Sequence, residues 1–83
     1  MVFEIWSMES RNLVASFDTE EEALRFVSVT LERSGENAVA GLALAREDES
    51  GQIETIAFGH HLARRAKAHH DEQTVPGAIA RTA

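Results

Sequence analysis

Phe17-Asp18-Thr19-Glu20-Glu21-Glu22-Ala23-Leu24-Arg25-Phe26-Val27 is the stretch around which this chain is organised. Thr19 and Glu22 stand three residues apart in the capping-box pattern, in which each side chain can satisfy an amide left free at a helix start. Glu20 and Glu21 fall where the positive end of the helix dipole favours acids. At 100° per residue, Ala23, Leu24, Phe26, Val27, Thr30 and Leu31 form one apolar stripe, and Ser34-Gly35 supplies a stop in which Gly35 can turn left-handed. The reading is a helix from about Thr19 to Arg33 that needs a sheet to cover.

Upstream, residues 2 to 8 alternate as a strand, with Phe3, Ile5 and Ser7 on one side and Val2, Glu4, Trp6 and Met8 on the other. Glu9-Ser10-Arg11-Asn12 is a polar turn, and Leu13 to Phe17 alternate again, which makes a hairpin. Downstream of Gly35, the run Ala38 to Ala45 is ambiguous, because its alanines favour a helix while its place between two turns favours a strand. It is assigned as a strand. Gly41 weakens a short helix, and the β-branched run Gln52 to Phe58, beyond the turn Glu47-Asp48-Glu49-Ser50-Gly51, wants a hairpin partner. Gly59 breaks that strand, and His60 to about His70 form a shorter helix.

The order is ββαββα: an α+β fold with a four-stranded antiparallel sheet, one main helix and a shorter C-terminal helix in two layers. Residues 1 to 70 make one small domain, and Asp71 to Ala83, with Pro76-Gly77 and little apolar bulk, read as a flexible tail. At 83 residues the chain buries a small fraction of its surface and has little stability to spare.

Composition narrows the function classes. With no cysteine, disulfides and thiolate metal sites are excluded, which suits a reducing compartment. Met1 to Trp6 lack a basic leader or membrane anchor, so the cytoplasm is the expected location and no membrane contact is expected. The net charge of −6 is uneven: residues 1–59 hold 4 Arg and 12 acids, and residues 60–83 hold 4 Lys or Arg and 2 acids. An acidic body argues against a dedicated nucleic-acid binder.

The sheet carries too much apolar surface for one helix. If that helix covers Phe3, Ile5, Leu13, Ala15, Phe17, Leu42, Leu44, Ile56 and Phe58, the opposite face holds Trp6, Met8, Val14, Val39 and Ile53. A sheet face open to water should instead be polar. The shorter helix is expected to be a poor cover, since Leu62 is its one bulky apolar residue and Ala63 and Ala66 add little. A partner is therefore expected, most simply a second copy forming a homodimer, through Trp6, Met8, Val14, Val39 and Ile53, with Val29 exposed on the main helix.

No constellation for chemistry rises above these features. His60-His61 and His69-His70 invite a metal, but on one helix His61 and His69 lie about 12 Å apart, too far to share an ion. No nucleophile motif accompanies the histidines and carboxylates, so neither catalysis nor a cofactor is expected. Glu47-Asp48-Glu49 lacks the spaced oxygens of a calcium loop. His60, Arg64 and Lys67 share a helix face, with Arg65 at its flank, and Arg64, Arg65 and Lys67 could touch phosphates.

Asp18-Thr19-Glu20-Glu21-Glu22-Ala23-Leu24 after a hairpin resembles the Asp-Thr-x-Glu-Glu-Ala-Leu helix start of HicB-type antitoxins, whose small αβ domain binds and blocks an RNase toxin. The resemblance covers seven residues, and the chain lacks the Pro-Asp-x-Pro-Gly stretch of those hairpins and any evident DNA-binding segment. It implies a different protein partner, with Arg64, Arg65 and Lys67 as a weak nucleic-acid contact. A ligand-binding or enzymatic domain ranks third, because few polar groups converge to fix a ligand.

Overall fold

The computed structural model describes residues 1–69; the expected tail, Asp71 to Ala83, and His70 lie outside them. Six named elements run β1 (Val2–Ser7), β2 (Leu13–Phe17), α1 (Glu20–Ser34), α2 (Glu36–Ala40), β3 (Leu42–Glu47) and β4 (Ile53–Phe58), and residues 59–69 form a last helix, α3. The fold is α+β, with a four-stranded antiparallel sheet in the order β2-β1-β3-β4. Each hairpin is a sequence neighbour pair, and the two hairpins meet along β1 and β3.

The helix start follows from its letters. The Thr19 Oγ1 accepts the Glu22 amide at 3.2 Å, and the same hydroxyl donates to the Glu22 carboxylate. Gly35 closes the helix at φ 82°, donating its amide to the Leu31 carbonyl at 2.9 Å, a conformation costly for a residue with a Cβ.

Between Gly35 and β3 the structure departs from the sequence reading. The segment assigned as one strand from Ala38 to Ala45 divides at Gly41 into the short helix α2 and the strand β3. Ala38 and Ala40 take the helical state that alanine prefers, and Gly41 ends it. Val39, expected on the uncovered sheet face, is instead fully buried in the core.

The core lies on one side of the sheet. Ile5 and Leu44 are register partners and fully buried, packed with Ala23, Leu24 and Val27 of α1, Val39 of α2, and Leu62, Ala63 and Ala66 of α3. The expectation that the last helix covers poorly is thus corrected. Its alanines leave α3 room to approach closely, so Leu62 and Ala66 are fully buried, and a buried leucine is worth roughly 1.5–3 kcal/mol. Gly59, at φ 60°, lets the chain pass straight from β4 into this helix. Arg65 of α3 pairs with Glu20 at 2.6 Å, and the Ser28 hydroxyl donates to the Ala66 carbonyl at 3.4 Å, which ties α1 to α3. Both long helices therefore cover the same sheet face.

Candidate functional site

Residues paired across neighbouring strands share a face, so the register defines what the helices leave open. Trp6 pairs with Leu13 on one side and Ala43 on the other, and Ala43 pairs with Phe58. One row of the open face is therefore Leu13, Trp6, Ala43, Phe58. The next row is Ser16, Glu4, Ala45, Thr55, and beyond it Val2, Glu47 and Ile53 follow.

Two irregularities build the first row. Between Ile5 and Trp6 the β2 partners step from Ala15 to Leu13, leaving Val14 as an extra residue. Between Leu44 and Ala45 the β4 partners step from Ala57 to Thr55, leaving Ile56 extra. Each is a bulge on an edge strand, and each changes which side the following residue occupies. Simple alternation put Leu13 and Phe58 under the helix. The bulges bring them beside Trp6 instead, where they are 47% and 51% exposed.

At the centre sits Glu4, a carboxylate only 9% exposed although no helix covers its face. The Trp6 Nε1 donates to its Oε1 at 3.2 Å, so the indole N–H already has a partner and the ring can be buried further without stranding a donor. Ala45, beside Glu4, is 4% exposed and half-buried Trp6 stands over the same region, so the face is a closed platform rather than a cleft. Among the described residues, the strand positions of these rows hold no Lys or Arg, and Arg64 and Arg65 of α3 border the face beside Thr55 and Phe58.

The expected interface residues divide into three groups. Trp6 and Ile53 are on the open face, with Ile53 58% exposed. Met8 lies just past the end of β1 and Val14 is the β2 bulge, both exposed. Val29 is exposed on α1, on the helix side of the molecule, and Val39 is in the core, so neither belongs to this surface. Sequence reasoning missed Leu13, Phe58, Ala43 and Ala45. No periodic signal marks a bulge when both faces of a strand are apolar, and alanine on an open face looks unremarkable until its neighbours are known.

The other candidates lie on α3. Arg64, Arg65 and Lys67 are exposed; Arg65 is engaged with Glu20, and among the described residues Arg64 and Lys67 make no ion pair. A shallow groove beside β4 is lined by Thr55, Ile56, Phe58, His61, Arg64 and Arg65. His61 stacks near His60, with ring centroids 4.2 Å apart, and meets Phe58 edge-on at 6.4 Å. Among the described residues no three His, Asp or Glu side chains come together to hold a metal ion.

The acidic turn is a self-contained device. The Asp48 Oδ1 accepts the Ser50 hydroxyl at 2.6 Å and the Ser50 and Gln52 amides at 2.9 and 3.0 Å. The Ser50 hydroxyl above all, and then the Gln52 amide, hold the Asp48 carboxyl below its ordinary range. No helix of the described residues is long and apolar enough to cross a membrane. Comparison with protein-family models, with curated proteins and with solved structures found no match.

Proposed function

We propose that this chain is a small, non-catalytic interaction module of the cytoplasm that self-associates, as a homodimer, through the open face of its sheet. The observation that carries the reading is the row Leu13, Trp6, Ala43, Phe58, which leaves two large apolar side chains about half exposed on either side of a half-buried tryptophan. Large aromatic residues on a flat surface are typical anchors of protein interfaces. Both edges of the sheet carry a bulge, a device that blunts edge-to-edge pairing and leaves the face as the available surface.

Equilibrium sedimentation of the wild type and of Trp6→Ala tests the reading. The wild type is expected to dimerise in the micromolar range and the variant to sediment as a monomer. A wild type that stays monomeric at high micromolar concentration overturns it.

The rival, an antitoxin-like protein that blocks a different partner and touches nucleic acid through Arg64, Arg65 and Lys67, draws less support. Arg65 is occupied by Glu20, and a net charge of −6 opposes a phosphate backbone.

A further inference from the structure

At the β4 edge of the sheet, the groove between β4 and α3 differs from three others in its charge. Carboxylates line each of those three: Glu20 and Glu21 in one at the start of α1, Asp48 and Glu54 in one at the acidic hairpin, and Asp18 and Glu22 in one beside β2. The groove beside β4 is lined by no carboxylate, although the chain holds 14 acids against 8 Lys or Arg. Two arginines and a histidine border it instead.

Its two walls are unlike. His61, Arg64 and Arg65 stand on α3 at spacings of three and four, which puts them on one side of the helix, together with the small Ala68. The other wall is β4, where Ile56 is half-buried and Phe58 is exposed. The fold neutralises this cationic wall only in part. Arg65 is paired with Glu20, Glu54 on β4 is taken by Arg46, and among the described residues Arg64 makes no ion pair.

From this charge contrast we infer that the groove binds an extended, acidic segment of a protein partner, in which acidic residues alternate with apolar ones. Successive side chains of an extended chain point to opposite sides, so such a segment presents carboxylates to α3 and apolar groups to β4. A carboxylate can accept two parallel hydrogen bonds from the planar guanidinium of Arg64, a geometry that gives direction as well as attraction. The apolar side chains cover Ile56 and Phe58.

The dimensions suit a short piece of chain. From His61 to Ala68 the helix rises about 10 Å, the length of three extended residues. The groove has a volume of about 740 Å³ but is shallow, whereas a small-molecule site encloses roughly 70–90% of its ligand. A segment held at several points along its length needs no such enclosure.

Other modes fit these walls less well. A nucleic-acid backbone would bring a phosphate at every nucleotide to an acidic chain, with Arg64 as the one unpaired arginine in the groove to meet them. The apolar β4 wall would gain nothing from that backbone. Addition of a fifth strand would need a regular ladder on β4, which the bulge at Ile56 interrupts, so the segment is held through its side chains.

This site does not rest on the self-association proposed above, and of the row that carries that reading only Phe58 also lines the groove. The test is a titration of isotope-labelled protein, kept dilute, with a short synthetic peptide of alternating glutamate and leucine, followed by the amide spectrum. The resonances of residues 55–58 and 61–68 should move together and saturate. Arg64→Glu should weaken binding at least tenfold, and an amide spectrum unchanged away from the groove shows that this exposed position is altered in a folded chain. Lys67→Glu changes the net charge by the same amount on an α3 residue outside the groove, and should change binding less than twofold. Added sodium chloride should weaken the peptide, the opposite of its expected effect on self-association.

No movement at millimolar peptide, movement centred on another groove, or an equal loss in the two variants overturns the site. A peptide with serine in place of leucine should bind several-fold more weakly, and undiminished binding overturns the alternating pattern. A thymidine oligonucleotide that moves the same amides at lower concentration overturns the choice of a protein segment. A wild type that is monomeric throughout removes the self-association reading and leaves this one standing.

Discussion

Ile5 and Trp6 are adjacent on one strand and face opposite worlds. Ile5 is fully buried against two helices, whereas Trp6 has no helix above it and is only half-buried by its neighbours and its bond to Glu4. The covered face is held by large and small residues that interlock: Leu24 and Val27 of α1 and Leu62 of α3 fill the space above Ile5 and Leu44, while Ala63 and Ala66 let the helix come close. Along the open face the same mixture of large and small occurs without its complement. The difference teaches that residue size matters less than whether a matching surface is present: the covered face stabilises the fold, and the open one is the surface we propose for association.

The largest effect that would sharpen this contrast is on the covered side. Leu62→Ala should lower the unfolding free energy by about 2–5 kcal/mol, through lost burial and the cavity left behind, as read from the urea midpoint. In a chain this small such a loss approaches the whole stability. Trp6→Ala on the open side should cost the folded monomer less, about 1 kcal/mol, and show its main effect in association. If the two variants unfold at the same midpoint, the division between a structural face and an interaction face fails.

Next in size, Thr19→Ala should cost about 1 kcal/mol by removing the cap on Glu22, and should leave dimerisation unchanged because α1 lies on the far side of the sheet. A sedimentation shift in this variant would mean that the helical face takes part in association.

Salt offers a smaller and more discriminating effect. Two chains of net charge −6 repel each other, so added sodium chloride should tighten a self-association several-fold. A cationic partner on the same face would be released by salt instead. The sign of the dependence thus separates a second copy from a basic ligand.

The smallest effect concerns Asp48, on the hairpin tip away from both faces. Its carboxyl titrates below the ordinary aspartate range because the folded turn bonds the charged form. The stability it lends is present above the unfolded pKa and lost as pH falls through the lowered folded one. The Ser50 and Gln52 amide resonances should therefore move together at a pH below that of a free aspartate, with no change in association. Asp48→Asn should abolish that titration.

The same contrast explains how much could be read from the letters. The start and stop of α1, both hairpins and the α+β class were legible because capping, turn residues and β-branched runs act locally. The division of residues 36–47 into α2 and β3 was not, since an alanine-rich run has no apolar period to choose between helix and strand. Nor was the covering power of α3, which comes from the close approach that Ala63 and Ala66 allow rather than from bulk. At the candidate surface, Trp6 and Ile53 could be placed by alternation. Leu13 and Phe58 could not, because Val14 and Ile56 each shift the alternation by one residue, and a bulge between two apolar faces leaves no mark in composition.

Trp6 is the one tryptophan of the chain, which has no tyrosine, so its fluorescence reports on the centre of the open face without labelling. The measurement is its emission and acrylamide quenching through a dilution series from high micromolar to nanomolar, set beside sedimentation at the same concentrations. The emission should shift to the red and quenching should rise as the dimer dissociates, with both curves following the loss of mass. Emission and quenching that stay constant while the mass changes would contradict the central claim, because the chains would then be joined by some other surface.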